Sequence, residues 1–292
     1  MLEQFYGRPV AQEGRRSTFL IRRIIPHPLT IKIADRFLGE GLTGEGHSKL
    51  RSLVKRMLSG EEIRASREVP EIFKDLDFRF IKEGEENIPD SGATLFIGNH
   101  TRGGPLFGMG QYFEAARTVY EMRVNVEDED LREPVAIAQR GLTKATKLPG
   151  GIKIVWNVPF TGQFYDLAAD ALNWITVYPP KFDAKGQITN RQNLPRWVLT
   201  RLVAGGALLW FPQGKHQHPD QLEMPGKSTG LLTKLKDEDV KVVAMRFVPG
   251  QNSLSMFFSD AVHIGDIPQR EGRVDMNAFV DRYLKPLGEN SK

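Results

Sequence analysis

The sequence predicts an α/β protein with a mostly parallel or mixed central sheet and a helical lead-in at its N-terminal side. Three observations predict it. From Phe78 onward, short apolar runs alternate with amphipathic stretches, the pattern of strands and helices stacked in layers. Two of these runs, 93–97 and 207–211, are apolar but for Thr94 and read as buried strands. Each then breaks into polar and glycine-rich residues, Gly98-Asn99-His100 and Pro212-Gln213-Gly214. In open α/β sheets such strand ends are where ligands bind.

Taken in order, residues 1–75 form the lead-in and residues 76–292 the main domain. Near the start, Arg15, Arg16, Arg22 and Arg23 flank Phe19, Leu20, Ile21, Ile24 and Ile25, and Pro26 and Pro28 break the run. As a helix this segment sets an apolar stripe beside two arginine pairs. That pattern suits an anionic membrane surface and packing on the chain's own domain about equally. Amphipathic helices are expected over 48–58 and 61–67, the second ending before Pro70. Strands are expected at 78–82, 94–98, 134–138, 175–178, 207–211, 240–247 and 254–258. Helices over 106–117, 165–173, 194–204, 230–236 and 276–287 fill the intervals.

Composition narrows the function. A chain of 292 residues can bury a sizeable core in one large domain. It has no cysteine, which removes disulfides, thiol nucleophiles and cysteine-held metals and fits a reducing cytosol. A net charge of +4 favours anionic partners. Nucleic acid is not expected among them, because no recognition motif or basic–aromatic stripe is present. No apolar run reaches the ~20 residues a membrane-spanning helix needs, and the first residues do not resemble a signal peptide. The expected location is the cytoplasm, with peripheral contact at the inner face of an anionic membrane.

Several motifs carry no chemistry. Gly226-Lys227-Ser228-Thr229-Gly230 has the spacing of a nucleophile elbow, but a polar, proline-bounded stretch precedes it instead of a strand. Gln221 stands where a phosphate-binding loop needs its first glycine. His216 and His218, even taken with His100, make a weak metal set without cysteine, and no metal is expected.

Two segments do point to chemistry, Ile97-Gly98-Asn99-His100 and Phe211-Pro212-Gln213-Gly214. Around them lie Gly84-Glu85-Glu86-Asn87-Ile88-Pro89, the apolar run 240–247 and Gly265-Asp266-Ile267-Pro268. In this order, over about residues 76 to 287, the chain resembles the glycerolipid (lysophospholipid) acyltransferase family. The resemblance implies that family's α/β sandwich and an activity that moves a fatty acyl group from acyl-CoA or acyl carrier protein to a lipid-like acceptor. It implies no cofactor, because the acyl thioester is a co-substrate.

The departures from the family pattern are specific. The family's first block is Asn-His, four spacer residues and Asp. Here the spacers are Thr101, Arg102, Gly103 and Gly104, and Pro105 stands at the Asp position. In the other block Gln213 stands for Glu, Lys215 for Thr and His216 for Arg. A further block matches Asn173 to Pro179 without its arginine, and Lys181 follows two residues later. The interval between the two main blocks also carries extra sequence between about residues 117 and 170.

Resemblance and position imply the roles. His100 is the general base, because a neutral imidazole can take a proton from an attacking hydroxyl. Asn99, Thr101, Arg102, Gly103 and Gly104 shape the turn and a site for the acyl group or oxyanion. Two glycines allow close backbone approach to a ligand, and Pro105 pre-sets a helical first turn. Phe211, Pro212, Gln213 and Gly214 form an acceptor wall, with Lys215, His216 and Lys181 as headgroup contacts. Three arrangements for the missing carboxylate stay open. Asp166, Asp170 or Glu114 replaces it, a backbone carbonyl orients the ring, or the chain is a catalytically impaired lipid- or acyl-binding member of the fold.

Overall fold

A computed structural model describes residues 27–101, 105–106, 109–139, 143–147, 153–157, 167–177, 194–212, 222 and 229–289. The arginine pairs at 15–16 and 22–23 lie outside the described residues. The first helix, α1 (His27–Leu38), starts with Pro28 in its first turn, where a missing N–H costs nothing. Next comes α2 (Gly44–Ser59), longer than the expected 48–58. The Thr43 hydroxyl accepts from Gly46 N–H at its start, and Gly60, at φ 88°, closes its end in the left-handed conformation.

Every strand expected from 78 onward is present. They are β1 (Arg79–Glu83), β2 (Thr94–Gly98), β3 (Val135–Gln139), β6 (Ile175–Val177), β7 (Ala207–Trp210), β8 (Lys241–Pro249) and β9 (Ser253–Phe258). They form one sheet in the order β1-β9-β8-β2-β7-β3-β6, with the short β10 (Val262–His263) beside β8. From β8 through β6 all neighbours are parallel, whereas β9 is antiparallel to β8. The sheet is therefore mixed and mostly parallel, as the sequence predicted. A separate antiparallel hairpin, β4 (Thr143–Lys147) with β5 (Lys153–Asn157), occupies the extra sequence and was not anticipated. Thr143–Lys147 is mostly polar and β5 has only the three apolar residues Ile154-Val155-Trp156, so neither run shows a period-2 pattern.

Alternation along the central strands divides the core into two layers. Phe96, Leu209, Val243, Met245 and Phe247 face one side, where α1, α2 and α4 (Gly110–Met122) pack. Leu95, Ile97, Leu208, Trp210, Val242 and Ala244 face the other, against α5 (Leu194–Val203), α6 (Thr229–Leu235) and α7 (Met276–Phe279). Leu50, Val54 and Met57 of α2 share a cluster with Phe96, so the described part of 27–75 closes one face of the sheet. Two helices depart from expectation. The 106–117 helix starts at Gly110 and runs to Met122, because Leu106 adopts φ 55° and breaks a helix that would begin there. The 276–287 helix is α-helical only to Phe279, then widens into a π-type turn, Val280–Leu284.

Two buried charged side chains fasten the layers. Arg123, fully buried, donates to Thr94 Oγ1 (3.1 Å), Gly92 O (2.9 Å) and Gly205 O (2.7 Å), and so ties together the starts of β2 and β7. Burial pushes its guanidinium down to about 10. The Glu133 carboxylate accepts from Ser66 N–H (2.8 Å) and Ser66 hydroxyl (2.5 Å), which anchors the turn of α3 (Ala65–Glu68).

Burial pushes the Glu133 carboxyl above its ordinary value, against the lowering by Ser66, Arg64 and Arg67. Its contribution to stability is therefore full below its unfolded pKa and is lost as pH rises through the raised folded one. Glu133→Gln keeps a neutral group that can satisfy both Ser66 contacts. It is expected to raise the melting temperature over wild type at pH 8, with the gain vanishing near pH 4. An equal difference at both pH values in thermal unfolding would refute this.

Candidate active site

β2 lies between β7 and β8 in parallel register, with Ile97 opposite Trp210 and Gly98 opposite Met245. The chain leaves the sheet at Asn99, while β8 continues past it. Asn99 Nδ2 donates to Phe247 O (3.0 Å), and Phe247 N–H donates to Asn99 Oδ1 (2.7 Å). The Asn99 amide presents an N–H and a C=O side by side to the N–H and C=O of one residue, so this side chain extends the ladder by one step after the backbone has turned away. Asn99 is 1% exposed. Its two bonds to Phe247 fix the chain one residue before His100.

Gly98 makes close packing possible at this corner. A Cβ there would sit 3.0 Å from Phe211 Cε1 and 3.1 Å from Phe247 Cε2. With no side chain in the way, the Phe211 ring lies 5.7 Å from the His100 ring, centre to centre, and 5.8 Å from Phe247. Beyond it Tyr112 stands edge-on to Trp174 at 5.0 Å, and Trp174 Nε1 donates to the Tyr112 hydroxyl at 2.8 Å. Burial drives that hydroxyl's pKa far up, so Tyr112 is a neutral packing residue.

His100 is half-buried, and its Nδ1 lies 2.5 Å from Gln111 Nε2. Gln111 is fully buried at the second residue of α4, and its Oε1 is 3.2 Å from the hydroxyl of buried Thr101. The start of α4 is fitted tightly to the turn before it. Gly110 N–H donates to Pro105 O at 3.0 Å, and a Cβ on Gly110 would come within 2.7 Å of Pro105 Cγ. The expected role for Pro105 as the helical first turn is thus displaced. Pro105 precedes a tight turn through Leu106, and the helix follows it.

Asn99, His100, Thr101 and Phe211, with Pro212 directly after, come together at the adjacent C-terminal ends of β2 and β7. Arg102, Gly103, Gly104, Lys181, Gln213, Gly214, Lys215 and His216 lie outside the described residues, as do Asp166 and Ser228. Glu114, a candidate carboxylate for His100, is held by Lys82 Nζ at 3.0 Å. Asp170 sits in a helical turn over 167–171. Among the described residues no cluster of three potential metal ligands occurs, and no helix is long and apolar enough to cross a membrane.

No protein-family model and no curated protein matches the chain. Among solved structures, it is similar to the 1-acyl-sn-glycerophosphate (LPA) acyltransferase PlsC from Thermotoga maritima. The match covers 94% of this chain and 96% of that one, at 15% identity and a TM-score of 0.43.

Gln111 is the site residue that reading the sequence missed. A signal for it existed. Within 110–116 the helix is buried at every position, and Gln111 and Glu114 are its only side chains with strong hydrogen-bonding groups besides Tyr112. A buried polar side chain needs partners. The partners expected for His100 were a carboxylate or a backbone carbonyl, and a side-chain amide was not among them. Chemically, an imidazole held at one nitrogen by a buried amide can exchange a proton at the other, which is the minimum a general base or acid requires.

Proposed function

We infer that the chain is an acyltransferase that moves a fatty acyl group from acyl-CoA or acyl carrier protein to a lipid-like acceptor, with His100 as general base. The observation that carries this reading is the held imidazole of His100 at the paired ends of β2 and β7, within the Asn-His and Phe-Pro-Gln-Gly motifs. His100 takes the proton of the acceptor hydroxyl or amine as that atom bonds to the thioester carbonyl carbon. The tetrahedral intermediate collapses, the C–S bond breaks, and the imidazolium returns its proton to the departing thiolate. Backbone N–H groups around Gly103 and Gly104 would bind the oxyanion. Lys181, Lys215 and His216 would meet an anionic headgroup, and the basic N-terminal segment would lie on an anionic membrane from the cytoplasmic side.

Gln111 also favours a second reading. A neutral amide does not stabilise an imidazolium as a carboxylate does, so a lipid- or acyl-binding member with weakened chemistry fits the same site. Thiol release by the purified full chain separates the two. Palmitoyl-CoA is offered alone, then with lysophosphatidate and with monoacylglycerol, and palmitoyl-acyl carrier protein is offered in parallel. Acceptor-dependent thiol release is expected. Binding of palmitoyl-CoA without release from any donor–acceptor pair would replace the enzyme with the binder.

A further inference from the structure

An imidazole acting as base must present an unprotonated nitrogen to its substrate, so its other nitrogen must carry the proton. We propose that Gln111 is the positioning residue that holds the His100 ring with its proton on Nδ1, and that the Thr101 hydroxyl holds the other end of the Gln111 amide. The proposal rests on His100 being the base, and deepens that reading.

Three groups form a chain, with Gln111 Nε2 at 2.5 Å from His100 Nδ1 and Gln111 Oε1 at 3.2 Å from Thr101 Oγ1. Turning the amide by 180° exchanges its oxygen and nitrogen without moving any other atom. A hydroxyl can donate or accept, so Thr101 satisfies either orientation. In one, the Gln111 NH₂ donates to Nδ1, the ring proton sits on Nε2, and His100 Nε2 can only donate. In the other, His100 Nδ1–H donates to Gln111 Oε1, the Gln111 NH₂ donates to Thr101 Oγ1, and Nε2 is the base. The second is the working state. Gln111 and Thr101 are both buried, at 0% and 1% exposure, so water does not compete for these bonds. The contact of Gly110 on Pro105 fixes where the helix begins, and with it where Gln111 projects.

A carboxylate in this place would orient the ring and also stabilise its charged form. An amide orients it without adding charge. That gives the proposal a signature that a merely structural glutamine lacks. Gln111→Met keeps the volume and removes the orientation, whereas Gln111→Glu keeps the orientation and adds the charge.

The test reads the histidine rings of the ¹⁵N-labelled full chain by long-range ¹H–¹⁵N spectra, with the His100 signal identified by its loss in His100→Ala. Thiol release against pH is recorded alongside. The wild-type ring is expected as the single Nδ1–H tautomer. Gln111→Met should give a tautomer mixture and a kcat lower by ~10–100-fold with KM unchanged. Gln111→Glu should keep one tautomer and move the acid limb of the rate profile to higher pH by about one unit or more. Thr101→Val should fall between wild type and Gln111→Met.

A wild-type ring protonated on Nε2 overturns the proposal, and so does a Gln111→Met protein with wild-type tautomer and kcat. If Gln111→Glu does not fold, Gln111→Met and Thr101→Val decide. If His100→Ala keeps its turnover, the acyltransferase base is lost as a reading, while the tautomer spectra still judge Gln111 on their own.

Discussion

His100→Ala is expected to lower kcat by roughly 10²-fold with little change in KM, the lower end of the 10²–10⁴ that a positioned base contributes. The size follows from its partner. In a serine-protease triad, exchanging the orienting carboxylate for an amide costs about 10⁴ in turnover. Here the amide is the natural partner, at 2.5 Å from Nδ1, so the base works without that charge and there is less for its removal to take away. The loss should appear equally in kcat and kcat/KM, because proton transfer is felt only in the transition state. Affinity for palmitoyl-CoA, measured by calorimetry, should remain within about threefold of wild type. A variant that turns over within threefold of the parent chain would remove His100 from the chemistry. A variant that no longer binds palmitoyl-CoA would make His100 a binding residue instead.

What the sequence could reveal follows from the range over which each signal acts. The strands of the sheet were legible because burial on both faces writes a continuous apolar run, as in Leu95-Phe96-Ile97 and Leu208-Leu209-Trp210. The pairing of their ends was legible too, because both runs break into polar residues, which placed His100 beside Phe211. The start of α4 was misplaced by four residues. Pro105 signals a helical first turn, but the left-handed Leu106 that follows has no signature in an apolar residue type. The hairpin of β4 and β5 was not anticipated, because Thr143–Lys147 is mostly polar and the apolar run of β5 is only three residues long. Gln111 was missed for another reason. It meets His100 across 11 residues of chain that include a tight turn, and spacing alone does not predict such a contact. Asn99 was legible as important but not in kind: its amide is engaged with the backbone of Phe247, 148 residues away.

That engagement makes Asn99→Ala the largest stability loss expected. The substitution removes two hydrogen bonds and leaves the Phe247 N–H and C=O without partners inside the core. Each unsatisfied buried group costs about 1–3 kcal/mol, so the variant should lose about 2–6 kcal/mol, against a typical total of about 5–15. Denaturant unfolding measures it. Asn99→Asp sharpens the argument. One carboxylate oxygen can still accept from Phe247 N–H, but the other replaces the Nδ2 donor and faces the Phe247 carbonyl oxygen. At neutral pH that contact is repulsive, and burial adds to the cost of the charge. Protonation restores a donor at that atom, so the carboxyl should titrate above its ordinary value in the folded protein. The stability it contributes would then be full at low pH and lost as pH rises through that raised value. Asn99→Asp should accordingly be nearer wild type at pH 4 than at pH 7, whereas the deficit of Asn99→Ala should not depend on pH. If Asn99 instead acted by touching the acceptor, both variants would fold within 0.5 kcal/mol of wild type and differ only in KM. Because Asn99 is where the chain turns from β2 toward His100, a loss of stability at this residue should carry a loss of kcat with it.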